Sequence, residues 1–224
     1  MKLLPFLLLL SSTLYCGVPS DGETLHYTIN WPSGLSLGEG TIKAARSGQN
    51  WSFELQFDAA LPGFPIADKF VSLADPAQCS LVFERDIQHG KRQSKEKITF
   101  DQAAGTAVRE TQGGGGKTTL TTSACAKDAL AFLFHLRSEL HKRRIPPQQN
   151  VYYGAPYSIR LQHKGTERIR LGDTTENADK IVATIKGPAS SLDILLYIGK
   201  DENRTPLRVK IPLSMGEFAL ELVR

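Results

Sequence analysis

Apolar side chains recur at every second position along most of this chain. That period confines it to strands with one face toward a core and the other toward water. Leu25, Tyr27, Ile29 and Trp31 alternate with His26, Thr28 and Asn30. Trp51, Phe53, Leu55 and Phe57 alternate with Ser52, Glu54 and Gln56. The rhythm returns at Leu81 and Phe83, at Ile98 and Phe100, and at Tyr157, Ile159 and Leu161. It continues through Ile181, Ala183 and Ile185, then Leu207, Val209 and Ile211, then Phe218, Leu220 and Leu222. Strands of a parallel sheet covered on both faces would be apolar at nearly every position, so the pairing is read as antiparallel. Turn signals separate the runs: Gly38 and Gly40, Ser47 to Asn50, His89 to Lys91, Gly113 to Gly116, Lys164-Gly165, Gly187-Pro188 and Asp201 to Asn203. This template predicts about eleven or twelve strands.

One segment departs from the pattern. Between Ala126 and Lys142 the apolar residues Ala129, Phe132, Leu133, Leu136 and Leu140 fall at offsets of three and four, the stripe of an amphipathic helix. Ser123 is a candidate cap for its start, and Asp128 falls in the first turns, where negative charge is favourable. Pro146 and Pro147 stop it. Leu61-Pro62-Gly63-Phe64-Pro65 reads as a kinked loop before a short helix or strand near Ala67 to Leu73. No repeat and no linker divides the chain. The expected fold is therefore one mainly β domain over residues 21–224. It is a single strongly curved antiparallel sheet, an open or half barrel, with the one amphipathic helix packed on its concave side.

The first twenty residues read as a signal peptide. Lys2 precedes an apolar run from Leu3 to Leu10, and small or polar residues follow. The run is too short to cross a hydrocarbon core of roughly 30 Å as a helix. Cleavage between Gly17 and Asp21 is expected, with export to the periplasm or cell envelope. Cys16 would suit a bacterial lipid anchor, but bulky Tyr15 stands before it where a small residue is usual. Membrane association is expected only if Cys16 is lipidated.

Loss of Lys2 lowers the formal charge from +4 to +3, too small an excess to imply a nucleic-acid partner. The basic cluster His141-Lys142-Arg143-Arg144 sits at the end of the predicted helix. It reads either as a solvated terminus that offsets the helix dipole or as a contact for an anionic membrane surface. Two cysteines, Cys79 and Cys125, remain in the exported chain. They form a candidate disulfide, the alternative being two buried thiols. Two thiols without CxxC spacing make no metal shell, and no cofactor is expected.

The motifs that suggest chemistry each fail a structural requirement. Thr111 to Thr118 ends like a phosphate-binding loop, but Thr111 stands where glycine is needed and strand-like residues follow. The five histidines form neither HExxH nor a His-x-His pair, and no GxSxG elbow occurs. A non-enzymatic protein is expected, with an unrecognised hydrolase the third reading. Trp51, Phe53 and Phe57, with Phe132, Leu133 and Leu136 on the helix, are candidate lining for a ligand cavity; the alternative is that they are core. The leading expectation is a protein that holds a lipid or other apolar small molecule, or an envelope protein, in the concavity. The runner-up is a structural or protein-interaction module of envelope assembly without a small ligand.

The order of segments resembles a bacterial exported family, domain of unknown function 3108. The resemblance runs through Leu25 to Trp31 followed by Gly38-Glu39-Gly40-Thr41, and through Phe83-Glu84-Arg85-Asp86 to Phe100-Asp101. It continues in the helix Lys127 to Arg137 and ends with Asn203-Arg204-Thr205-Pro206-Leu207 and Gly216. It implies a predominantly β envelope protein with no established activity. It also singles out Asp128 and, nine residues on, Arg137. Asp128 reads as a helix-dipole or capping partner and Arg137 as a structural hydrogen-bond donor, on nearly opposite helix faces.

Overall fold

The computed structural model describes residues 19–61, 64–188, 191–213 and 216–224. The signal peptide expected over residues 1–20, including Cys16, lies almost wholly outside the described residues. The first half of the chain forms β1 (Glu23–Asn30), β2 (Ser36–Ser47), β3 (Asn50–Leu61), β4 (Phe64–Ala74), β5 (Ser80–His89), β6 (Arg92–Asp101), β7 (Thr106–Thr111) and β8 (Lys117–Thr121). A two-residue strand, β9 (Lys127–Asp128), leads into the helix α1 (Ala129–His141). The second half forms β10 (Gln149–Tyr153), β11 (Ala155–Leu171), β12 (Thr174–Lys186), β13 (Ser191–Gly199), β14 (Pro206–Leu213) and β15 (Gly216–Leu222).

All fifteen strands join one sheet, in the order β8-β7-β6-β5-β4-β3-β2-β1-β15-β14-β13-β12-β11-β10-β9. Two meanders are thus fused where β1 pairs antiparallel with β15, Tyr27 opposite Leu222. Every ladder is antiparallel except the short parallel pairing of β9 with β10. The count exceeds the eleven or twelve expected because β7, β8, β9 and β10 are short and weakly alternating. The element expected near Ala67 to Leu73 is a strand that begins at Phe64, opposite Leu61.

Chain length forces the sheet to curl. Laid flat, fifteen strands at about 4.8 Å spacing would span roughly 67 Å. Yet β8 and β9, the two edges, are joined by residues 122–126 alone, which reach about 20 Å at full extension. The sheet therefore bends until its edges approach. Tyr152 on β10 donates its hydroxyl to the Thr121 carbonyl of β8 (3.1 Å), and Arg109 on β7 donates to the Gly154 carbonyl (2.9 Å). No ladder joins the edges, so the barrel stays open.

The helix fills the concave side. It packs on β3 and β4 in one half of the sheet and on β9 and β10 at the far edge. Phe134 stacks on Phe53 at 4.0 Å, while Phe132, Leu136 and Leu140 pack with Ile159, Leu161, Ile181 and Ile198 of the other half. An element touching both halves through one sheet face can lie only inside the curve. Because it is enclosed, its burial runs nearly all round: Leu130, Ala131, Phe132, Phe134, Leu136, Arg137 and Leu140 are all buried, a wider surface than the single stripe predicted.

Two local expectations are corrected. Asp128, not Ser123, is the N-cap; its Oδ1 accepts from the Leu130 and Ala131 amides, and the helix runs from Ala129 to His141. Ser123 is exposed, five residues before the N-cap Asp128. Lys164-Gly165 is not a hairpin turn but a bulge inside the 17-residue β11, where the register slips between His163 and Thr166. Gly165 (φ 102°) supplies the left-handed conformation that a bulge shares with a turn. Beyond it the β11–β12 hairpin folds back over the outer face. Arg208 on β14 donates to the Arg170 carbonyl of β11 at 2.7 Å, although three strand spacings, roughly 14 Å, separate those strands in the sheet.

Candidate functional site

The concave face is built from alternate residues of the strands, and the helix divides it into a sealed part and an open part. Beneath the helix, Trp51 and Phe53 on β3 are buried, as are Phe132 and Leu136 on α1. Phe57 and Leu133 are partly buried. The six residues singled out as cavity lining do not form one wall. Trp51, Phe53, Phe57 and Leu133 belong to the main core, whereas Phe132 and Leu136 belong to a second cluster on the other flank of the helix.

Leu55, Phe57, Ile87 and Tyr153 on the strands and Leu133 on the helix are partly buried, and all pack against the main core. Phe70 lies between Phe57 and Tyr153, its ring centroid 6.0 Å from the first and 5.6 Å from the second. A polar group borders this apolar wall. Arg85 on β5 donates to Glu96 on β6 (Nε to Oε2, 3.0 Å), and its guanidinium lies 4.7 Å from the Tyr153 ring centroid. Burial pushes the Tyr153 hydroxyl up to about 12, opposed in part by the Arg85 charge. Gly154 (φ 77°) lets the chain pass close by: a Cβ there would stand 3.0 Å from an Arg85 nitrogen. The sequence signal for this group was a charge at an inward position, Arg85 between Phe83 and Ile87, which the alternation alone would have assigned to an apolar residue.

The two helix positions marked by resemblance are committed to the fold. The Asp128 side chain is fully buried; its Oδ2 accepts from the hydroxyls of Ser72 on β4 and Ser80 on β5, each at 2.6 Å. Burial pushes its carboxyl above the ordinary range, opposed by those hydroxyls and by the Ala131 and Leu130 amides. Arg137 is likewise sealed, and it clamps Glu23 on β1 with two bonds of 2.7 Å. It also donates to the carbonyls of Asn203 and Arg204 in the β13–β14 loop. Neither side chain is open to a ligand in this arrangement.

Cys79 and Cys125 form a disulfide. It ties the turn before β5 to the segment entering β9. The Ser80 amide donates to the Ala126 carbonyl beside it, and the Gln102 side chain brackets Ala126 from both sides. Thr111 to Thr118 is the β7–β8 hairpin, with the Thr111 amide bonded to the Gly116 carbonyl. Among the described residues, no three His, Cys, Asp or Glu side chains gather as a metal ion would require.

An open cleft lies at the other end of the helix, where the sequence shows only the run His141 to Arg144. The cleft measures about 540 Å³ and brings Arg143 and Arg144 together with Lys200, Arg204, His163 and Asp179. Asp179 accepts from His163 (3.1 Å), Thr166 (3.2 Å) and Arg204 (3.0 Å). Burial alone would raise its carboxyl, but the His163 bond and the Lys200 charge hold it below the ordinary range. These partners lie far apart in the sequence, and only the curl of β11 to β13 around the helix end assembles them.

Such an open β half-barrel, plugged by one helix and stapled by one disulfide, defines a scaffold class and names no reaction. Residues 25–223 match the model of DUF3108, a protein family of unknown function, and the chain belongs to that family. In fold it is similar to the crystal structure of a β-barrel-like protein of domain of unknown function DUF1849 from Brucella abortus. That likeness has a TM-score of 0.62 at 8% identity and covers 93% of this chain and 98% of the other. Two weaker likenesses also span both chains. A candidate lipoprotein from Parabacteroides distasonis has a TM-score of 0.35 at 8% identity, over 92% of this chain and 95% of that one. A candidate exported protein with a YmcC-like fold from Bacteroides fragilis has a TM-score of 0.36 at 12% identity, over 93% and 97%. Among curated proteins none matches the chain.

Proposed function

We propose that this is an exported, non-enzymatic binding protein of the periplasm or cell envelope, which holds an apolar, lipid-like ligand at the open end of its concave face. One observation carries the reading: Leu55, Phe57, Ile87, Leu133 and Tyr153 keep part of their surface exposed beside the packed core, with Phe70 linking the Phe57 and Tyr153 rings. Apolar surface gathered in a concavity marks a binding surface more often than apolar residues scattered singly. The Arg85–Glu96 pair and Arg109 at its border offer donors for a polar end of the ligand. Export is supported by the leader pattern of Lys2 and Leu3 to Leu10 and by the Cys79–Cys125 disulfide, which suits an oxidising compartment.

The second reading is a docking module for an envelope protein, without a small ligand. It draws support from the burial of Trp51, Phe53, Phe132 and Leu136, which fills the space beneath the helix with side chains. Native mass spectrometry of protein purified without detergent from its own host separates the two. The ligand reading expects an extractable lipid-like adduct that Phe57→Asp removes while the far-ultraviolet spectrum is unchanged. An adduct-free protein that crosslinks stoichiometrically to one envelope protein would replace the first reading with the second.

A further inference from the structure

We propose that the cleft at the C-terminal end of α1 is a binding site for a phosphate group. The helix ends in a Schellman arrangement, with the Arg144 amide bonded to the Glu139 carbonyl (2.8 Å) and the Arg143 amide to the Leu140 carbonyl (2.9 Å). Glycine ordinarily takes the left-handed position of that motif, because a Cβ there meets the following carbonyl. Here the position is held by Arg143, at φ 58°. The Arg143 guanidinium has no partner among the described residues. The opposite wall repeats the feature: Arg204, also without glycine's freedom, sits at φ 48° and aims its guanidinium at Asp179. Two strained arginines therefore face one cleft.

The side-chain charge exceeds the partial negative charge of the helix C-terminus and favours an anion. Arg143, Arg144, Lys200 and Arg204 face Asp179, the one carboxylate in the lining, and His163 adds a further donor. Glu139, just outside, is shared by Lys142 and Arg144. Arg143 remains unmatched, and Lys200 lies only loosely against Asp179, at 3.6 Å. Asp179 orients Arg204 and His163 from behind. A guanidinium fork matches the oxygen geometry of a phosphate, and Arg143 offers one that is not already paired, with the Arg204 and Arg144 side chains beside it in the lining. The cleft is larger than the bare ion, and Leu140 and Ile145 provide an apolar floor for whatever the phosphate is attached to. A phosphorylated small molecule and an anionic lipid headgroup share this chemistry.

The test titrates the purified protein calorimetrically with inorganic phosphate. In parallel, the protein is sedimented with vesicles of phosphatidylglycerol and with vesicles of phosphatidylcholine. Binding of phosphate identifies a soluble source. Binding of phosphatidylglycerol vesicles alone identifies a headgroup. In either case Arg143→Gly and Lys200→Ala should each weaken binding by about tenfold, the scale of one charge-assisted hydrogen bond. Arg143→Gly should do so with an unchanged or higher melting temperature, because it relieves a strained residue. Phe57→Asp, at the other end of the concavity, should leave this binding intact. The proposal is overturned if neither probe binds, if phosphatidylcholine binds equally well, or if Arg143→Gly binds like the parent.

Discussion

Arg137 has no exposed surface, and each of its three guanidinium nitrogens donates: two bonds go to Glu23 and the others to loop carbonyls. Removing one member of such a pair strands a buried charge, which typically costs about 3–5 kcal/mol. Arg137→Met should therefore lower unfolding stability by about that amount, measured by urea denaturation. Adding Glu23→Leu should recover part of the loss, because the stranded carboxylate goes too. Recovery stays incomplete, since the Asn203 and Arg204 carbonyls still lack their donor. A single-variant loss below about 1 kcal/mol would show that solvent reaches the site and screens it. The residue scale is also where the sequence was least legible. Alternation identifies Tyr27 and Phe53 as inward, but it could not reveal that Ser72 and Ser80, two ordinary strand serines, converge on Asp128.

The disulfide acts at the scale of elements, because it fixes where β9 and the start of α1 sit on β5. For cysteines 46 residues apart, the chain-entropy picture assigns the bridge about 4 kcal/mol. Cys79→Ala with Cys125→Ala should shift the urea midpoint accordingly, and reductant should then have no further effect. A shift under about 1 kcal/mol would mean that the Ser80–Ala126 bond and the Gln102 bracket already hold the segment. Long strands such as β3 and β12 are readable because period two runs through part of each, Trp51 to Phe57 and Ile181 to Ile185. The two-residue β9 was not, since two residues carry no period. Lys164-Gly165 misled for a physical reason: a glycine with positive φ serves a bulge as well as a turn, and only the partner strand decides which forms.

For the whole molecule, the helix is the shared core of both meanders, and the β1–β15 ladder joins them directly. Neither half can lose its packing without exposing the other. One cooperative transition is expected, with tryptophan fluorescence from Trp31 and Trp51 and far-ultraviolet circular dichroism giving the same urea midpoint. Distinct midpoints would show two independently stable halves. The periodicity of the chain determined the antiparallel pairing, the single helix and the face of each strand that turns inward, because those depend on neighbours one to four positions away. The curl of the sheet, the split of its inner face into sealed and open parts, and the gathering of His163, Asp179, Lys200 and Arg204 around the helix end were decided only in three dimensions. They arise from contacts between residues tens of positions apart, set by a five-residue link that draws the two edges together, and no local pattern encodes that distance.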